Sequence, residues 1–436
     1  MCSGIAAQPG NWGLKVQMDS VVELSASMTE PRPGDSAGAR LQQLRVALIH
    51  DWLITLGGAD RVLLALHDVF PQAPVFVALH ALGRLPESFR RLDVRGTWLQ
   101  RLPGATRRHR WLVPLMPFAF AHLNLRGYNV IVSSSHACAK GVVVPPGAIH
   151  VCYCHTPMRY AWDLPQEYLA ATPAILRPGA RAALAWLRQW DRVTAQRVDH
   201  FIANSRFVAD RIRKHYDREA TVIHPPIDTE FFTPAETVAL PRVPSPRHPS
   251  RKGTDERDFY LLISRLVGYK KAQVAVEAFN ALGRPLVVVG DGPERRKLEA
   301  VARGNVRVVG EVSDAVLRGY YRQCQALIFP GEEDFGMVPV EAQACGRPVI
   351  AYGRGGALES VVDGVTGIFF NEQTPAAVAA AVRNADSITW DGATIRRHAE
   401  RFSHLRFVQE ITNFIGAVVG GTPGGNPSET RMHRHG

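Results

Sequence analysis

Residues 329–342 read Phe329-Pro330-Gly331-Glu332-Glu333-Asp334-Phe335-Gly336-Met337-Val338-Pro339-Val340-Glu341-Ala342. An apolar run, predicted as a strand, ends at Phe329; a glycine-bearing loop follows, and a helix is predicted to start near Val338. Pro339 suits a first helical turn, where its missing N–H costs nothing. Backbone N–H groups near Gly336, Met337 and Val338 then sit at the positive end of a helix dipole, an anion site suited to a diphosphate. Glu333 and Glu341 bracket that site. A carboxylate only accepts hydrogen bonds, so it pairs well with sugar hydroxyls. Glu341 is expected at a ribose diol and Glu333 at a transferred hexose; a solvated acidic loop followed by a dipole-favoured Glu is the plainer alternative.

Outward from this stretch, short apolar runs alternate with helix-like segments, as in parallel α/β structure. Strands are predicted at 44–49, 75–78, 130–133, 150–153, 200–203 and 221–224, then at 260–264, 286–290, 306–309, 326–329, 349–351 and 367–370. Their nearly continuous apolar character suits strands covered on both faces. The chain has 436 residues, enough for two cores. Residues 1–43 are Gly-, Ser- and Pro-rich and are expected to be a disordered leader, with 420–436 a similar tail. Between them we expect a first Rossmann-like domain (44–239), a Pro-rich basic linker (240–257), a second Rossmann-like domain (258–402), and a helix (403–419) packing back on the first. Ligands of such sheets bind at the carboxyl ends of the strands, here in the interdomain cleft.

Apolar residues make up 46% and charged residues 21% of the chain, ordinary for a globular protein. The net charge of +11 favours anionic partners. The basic residues are dispersed and form no nucleic-acid module, so nucleic acid ranks last among partners. Cys2, Cys138, Cys152, Cys154, Cys324 and Cys345 show no CxxC spacing and read as reduced thiols of a cytosolic protein. No run is long enough to span a membrane, and the N-terminus lacks a secretory pattern. A cytoplasmic location is expected. No metal site is expected, because no Asp-x-Asp stands where a metal could meet a diphosphate.

Glu333 and Glu341, followed by Gly346-Arg347-Pro348-Val349-Ile350 and Gly355-Gly356, resemble the donor-binding signature of the family 4 glycosyltransferases. Ser264-Arg265-Leu266-Val267-Gly268-Tyr269-Lys270-Lys271, Val289-Gly290-Asp291-Gly292-Pro293 and Asp363-Gly364-Val365-Thr366-Gly367 add to it. So do His50-Asp51-Trp52, Gly57-Gly58-Ala59-Asp60-Arg61, Cys154-His155-Thr156-Pro157 and Ala203-Asn204-Ser205. The resemblance covers about residues 44 to 415. It implies the GT-B fold, two facing Rossmann-like domains, with donor bound mainly by the second and acceptor by the first. It also implies retention of anomeric configuration.

In that light Arg265 and Lys270, after a strand end, are expected to converge on the departing diphosphate; Lys271 is the alternative cation. Gly57 and Gly58, at a helix start, would approach the donor from the opposite wall. His155 would hydrogen-bond the sugar near the reacting centre. Backbone from Gly310 to Ser313, including Val312, would meet the base, and Phe335, Gly336, Met337 and Val338 the diphosphate. With no carboxylate pair identified for double displacement, front-face displacement is expected, the leaving phosphate helping to deprotonate the acceptor. Residues 152–163 and 338–346 are similar to a narrower group, mannosyltransferases of O-antigen or exopolysaccharide assembly. This implies GDP-mannose as donor, with UDP-sugars the alternative, and a lipid-diphosphate-linked saccharide as acceptor. No cofactor besides the nucleotide-sugar is implied. Arg107-Arg108-His109-Arg110-Trp111 before Leu112–Phe118 could rest on an anionic membrane surface, on the inner face of the plasma membrane; packing of the apolar half in the core is the alternative.

Three rival classes remain. A sugar-nucleotide 2-epimerase shares facing α/β domains but would not need the Arg265, Lys270, Glu333 and Glu341 combination. Gly290-Asp291-Gly292-Pro293-Glu294-Arg295 hints at a dinucleotide fingerprint, yet Arg295 stands where a glycine belongs. A silent binding subunit should have lost the signature charges, and all are present.

Overall fold

The computed structural model describes residues 44–163, 165–170, 172–234 and 259–421. The expected leader (1–43), linker (240–257) and most of the expected tail (422–436) lie outside these.

Seven parallel strands form the first sheet: β1 (Val46–His50), β2 (Val75–Val77), β3 (Val94–Gly96), β4 (Val130–Ser135), β5 (Ile149–Cys154), β6 (His200–Ala203) and β7 (Ala220–Val222), in the order 3-2-1-4-5-6-7. Six more form the second: β8 (Tyr260–Ile263), β9 (Leu286–Val289), β10 (Val306–Gly310), β11 (Leu327–Phe329), β12 (Val349–Tyr352) and β13 (Gly367–Phe370), in the order 10-9-8-11-12-13. Each order reverses beside its own first strand, between β1 and β4 and between β8 and β11. The gap that this reversal opens at the strand ends is where α/β sheets place ligands. Both sheets are Rossmann-like, and the architecture is GT-B.

The strands are buried because Val, Ile and Leu on both faces meet helices. Less buried are β7, where Thr221 is exposed, β10, where Arg307 is exposed, and β3, an edge strand that the sequence reading missed: Val94 is half-buried while Arg95 and Gly96 are exposed. Its Val-Arg-Gly carries no apolar run to detect.

Six of the helices are α1 (Gly58–Val69), α2 (Arg177–Ala195), α3 (Arg206–Tyr216), α4 (Ala272–Leu282), α5 (Met337–Ala344) and α6 (His404–Gly420). α5 begins at Met337, next to the expected Val338, and α6 runs through Gly420, which the sequence assigned to the tail. Ser403 caps α6 by accepting the Arg406 N–H at 3.3 Å. Phe407, Ile411 and Ile415 of α6 enter the core of the first domain, where Phe407 meets the Tyr153 ring edge-on at 5.8 Å. In return, Ile227 and Phe232, which come after the first sheet, pack into the core of the second domain. The chain crosses between domains twice, so each core contains residues from beyond its own sheet.

Cys138, Cys152, Cys154, Cys324 and Cys345 are free and buried. Burial pushes the Cys324 and Cys345 thiols up to about 12, leaving them poor nucleophiles. No described helix is long and apolar enough to cross a membrane.

Candidate functional site

In the second domain the segments leaving β8 and β11 meet at the switch point. The first carries Arg265 and Lys270, the second Glu332, Glu333 and Asp334. Lys270 Nζ forms an ion pair with Glu333 Oε1, so two residues singled out in the sequence share one contact. Lys271 instead is exposed, with a left-handed backbone (φ 55°) just before α4. Arg265 is exposed, and its charge reaches across to His109 of the first domain, whose pKa is lowered mainly by burial and further by Arg110 and Arg265.

Glycines set the loop geometry here. Gly355 (φ 61°) lies so close to the Glu333 loop that a Cβ would stand 2.5 Å from the Glu333 carbonyl oxygen. The N–H of Gly356 donates to that oxygen at 2.9 Å. This is the physical use of the Gly355-Gly356 pair: it lets a second backbone support the acidic loop. Gly336, the residue before α5, has φ 83°.

The two glycine-bearing helix starts face each other across the cleft. A Cβ on Gly58 would meet Met337 Sδ at 3.0 Å. The N-termini of α1 and α5 therefore aim their positive ends at common space, the arrangement that favours a diphosphate. Val338 and Val312 are half-buried against the second core, and Gly310 ends β10 with φ 78°. Phe335, expected among the donor contacts, is buried. Its ring is buried in the second core beside Phe402 (5.4 Å) and His224 (5.3 Å), so only its backbone could meet a ligand.

Glu341 is more committed than the sequence suggested. Its Oε1 accepts from Arg61 Nη1 at 2.7 Å and its Oε2 from the Tyr321 hydroxyl at 2.7 Å. Arg61 also reaches Asp314 at 3.1 Å. Glu341 is 4% exposed. Its carboxylate retains further lone pairs for a diol, because each oxygen has room for two donors.

In the first domain, β1 ends at His50 and Asp51 follows it. The Asp51 carboxylate accepts four consecutive backbone N–H groups, His136 through Cys138 and Ala139, at 2.6–2.9 Å. That pins the loop after β4, and with it the floor of the site. His155, after β5, is buried; its Nε2 meets Ser134 Oγ at 2.8 Å and its carbonyl oxygen accepts Asn204 Nδ2 at 3.0 Å. Burial, and then the neighbouring His136 and His50, hold its pKa well below the usual histidine range, so its ring is neutral.

Asp334 is the residue that sequence reasoning passed over. Its carboxylate accepts from Arg159 (3.0 and 2.9 Å), Arg211 (2.8 Å) and Thr156 (3.2 Å), all of the first domain. Its carbonyl oxygen accepts the Ser205 hydroxyl at 2.6 Å. A second bridge comes from Glu359, which accepts the Arg206 and Phe207 N–H groups at the start of α3 and His224 Nε2 at 3.0 Å. The signal for Asp334 was its place between Glu333 and Phe335 in the strongest motif. Its partners could not be read, since they lie 123 to 178 positions away.

No group of three or more metal-ligating side chains occurs among the described residues. The local chemistry is instead a set of cations, two helix starts and hydroxyl-accepting carboxylates around one cleft. Such groups suit an anion beside hydroxyls.

Comparison with known proteins agrees. Residues 56–231 match the family described as Glycosyltransferase Family 4, and residues 257–385 the family described as Glycosyl transferases group 1. Each half of the chain thus resembles a glycosyltransferase family. It is 30% identical over 288 residues to the D-inositol 3-phosphate glycosyltransferase of Geodermatophilus obscurus, covering 58% of this chain and 61% of that one. With the corresponding enzyme of Nocardiopsis dassonvillei it shares 33% identity over 215 residues, 44% of this chain and 48% of that one. It thus spans about half to three fifths of these relatives. Among solved structures it is similar to Anabaena HepE in complex with UDP and glucose (TM-score 0.62, 18% identity, 86% of this chain and 100% of that one). Sucrose-phosphate synthase of Thermosynechococcus elongatus is also similar (TM-score 0.61, 19% identity, 86% and 99%). At such identities these structures speak for the fold.

Proposed function

We propose that this protein transfers a hexose, with retention, from a nucleoside diphosphate sugar to a saccharide acceptor carried on a lipid diphosphate. The observation that carries the reading is the contact of Lys270 with Glu333 at the β8/β11 switch point, beneath the facing starts of α1 and α5. As the glycosidic bond to phosphate breaks, negative charge grows on the leaving diphosphate. Lys270, Arg265 and the two helix starts stabilise that charge without a metal. Glu333 and His155 receive the hexose hydroxyls, and Glu341, held by Arg61 and Tyr321, the ribose. Glu333 paired to Lys270 is a poor nucleophile, which supports front-face displacement: the leaving phosphate oxygen takes the proton of the incoming hydroxyl.

The donor we favour is GDP-mannose, supported by the likeness of residues 152–163 and 338–346 to mannosyltransferases of surface-polysaccharide assembly. A UDP-sugar is the second reading, favoured by the UDP bound in Anabaena HepE. A donor screen with product linkage determined by NMR tests both. Turnover with GDP-mannose and not UDP-sugars is expected, undiminished by chelator. Turnover with a UDP-sugar alone would overturn mannose, and chelator-sensitive activity restored by magnesium or manganese would overturn metal independence.

For the acceptor, a peripheral position on an anionic membrane surface fits the outside of the first domain. From Val94 to Trp162 the sequence contains no acidic residue. Within it Met116 and Pro117 are buried, while Arg107, Arg108, Arg110, Trp111 (67% exposed) and Phe118 (52% exposed) face outward. Phe118 stacks on Trp186 of α2 at 5.6 Å, extending the apolar surface onto a helix with exposed Arg181, Arg188 and Arg192. Aromatic rings flanked by arginines suit a headgroup layer. Cosedimentation with anionic vesicles is expected, and is lost when Arg107, Arg108 and Arg110 are changed to Glu. Equal binding by that variant would remove the membrane from the proposal.

A further inference from the structure

Beneath the cleft floor, four buried side chains from four separate segments form one hydrogen-bonded row. Asp60 of α1 meets His50 Nε2 at 3.1 Å through its Oδ1. His50 Nδ1 meets Ser134 Oγ at 3.0 Å, and Ser134 Oγ meets His155 Nε2 at 2.8 Å. At the far end, Asp60 Oδ2 accepts the Gly57 N–H at 2.6 Å. The row therefore joins the glycine-bearing helix start to the histidine placed at the sugar.

Such a row has a direction. An ionised Asp60 can only accept, so His50 Nε2 carries a proton. The Asp60 charge is already met by the Gly57 N–H and by the positive end of α1, in whose first turn it lies. A second charge on His50, which is fully buried beside the His136 ring, would have to be desolvated as well. In the row so directed, His50 carries its proton on Nε2 toward Asp60, and its Nδ1 accepts the Ser134 O–H. The Ser134 oxygen then accepts, which requires the proton of His155 on Nε2. His155 Nδ1 is left bare, with no hydrogen-bond partner among the described residues. The next residue, Thr156, already touches Asp334 of the opposite domain.

We propose that Asp60, His50 and Ser134 are positioning residues that fix His155 as its Nε2-protonated tautomer, so that Nδ1 serves only as an acceptor for a donor-sugar hydroxyl. The proposal rests on the reading of His155 as a sugar contact. It gives the strand-end His50 and the α1 Asp60 a role at the cleft through contacts made wholly within the first domain.

The test uses the full-length chain labelled with ¹⁵N-histidine. Long-range ¹H–¹⁵N spectra report which ring nitrogen is protonated, and the His155 signals are assigned by their loss in His155→Asn. The expected result is a protonated Nε2 and a bare Nδ1; a protonated Nδ1, alone or in a doubly protonated ring, overturns the proposal. The second arm compares Ser134→Thr with Ser134→Val, which differ in a hydroxyl at nearly equal shape. The Val variant is expected to lose about tenfold or more in kcat relative to Thr, with donor KM changed less than about threefold. His155 should keep its tautomer in Thr and lose it in Val. Equal kcat and equal spectra in the two variants refute the row. Since the spectra need no turnover, an error about the reaction is seen separately: no donor is consumed while the tautomer is still as described.

Discussion

Removing the Asp334 carboxylate is the most direct way to ask whether the two domains are held by the contacts described. Asp334→Ala deletes an acceptor shared by Arg159, Arg211 and Thr156 while leaving its backbone bond to Ser205. Breaking a buried ion pair by removing one partner costs about 3–5 kcal/mol, because the other charge stays desolvated. Here the side chains keep 9% (Arg211), 20% (Asp334) and 22% (Arg159) of their exposure, so water recovers part of that. Arg211 also retains Asp163. The expected loss is therefore about 2–3 kcal/mol for Ala. It is about 1–2 kcal/mol for Asn, which keeps one accepting oxygen but no charge. Urea unfolding followed by tryptophan fluorescence measures the loss, and small-angle scattering should show a larger radius of gyration in the Ala variant. If Ala differs from the parent by less than about 0.5 kcal/mol, as a surface substitution would, the interdomain reading of Asp334 is wrong.

The Glu359 bridge should depend on pH. Burial alone would raise its pKa, but His224 and the Arg206 and Phe207 N–H groups outweigh this and hold it low. A carboxylate with a depressed folded-state pKa stabilises the protein above its unfolded value and ceases to as pH falls through the folded one. The Tm gap between the parent and Glu359→Gln should thus be constant near neutrality and close below about pH 4; a gap unchanged at pH 3 contradicts it. Lys270→Ala should lower kcat by about 10²–10³ with little change in stability, measured by steady-state kinetics; near-parent kcat would release Lys270 from its role. Gly355→Ala combines a left-handed backbone with a Cβ 2.5 Å from the Glu333 carbonyl oxygen. It should displace the acidic loop and cost at least about 1–3 kcal/mol, and a melting curve matching the parent's would show the loop to be yielding.

Local rules carried the prediction a long way because most of the strands announce themselves. Runs such as Leu286–Val289 and Val349–Tyr352 are apolar on both faces, and their ends fall beside glycines that only a turn needs. β3 escaped since an edge strand with one apolar residue has no such signature. Lys270 and Glu333 were legible as chemistry, but not as partners: they are brought together by β8 and β11 pairing side by side. Phe335 looked like a loop residue available to a ligand, and tertiary packing turned its ring into the second core.

Two properties come from the order of residues alone. Doubly covered strands between helices dictate parallel sheets, and a glycine before a helix start makes a local anion site, since both depend on neighbours within a few positions. Three-dimensional packing chose the rest. Which cation meets Glu333, which arginine takes Glu341, and how Asp334 and Glu359 fasten the domains are all decided by side chains far apart in the chain. Those choices depend on the sheet order and on how one sheet is set against the other, geometry that a linear pattern of polar and apolar residues does not contain.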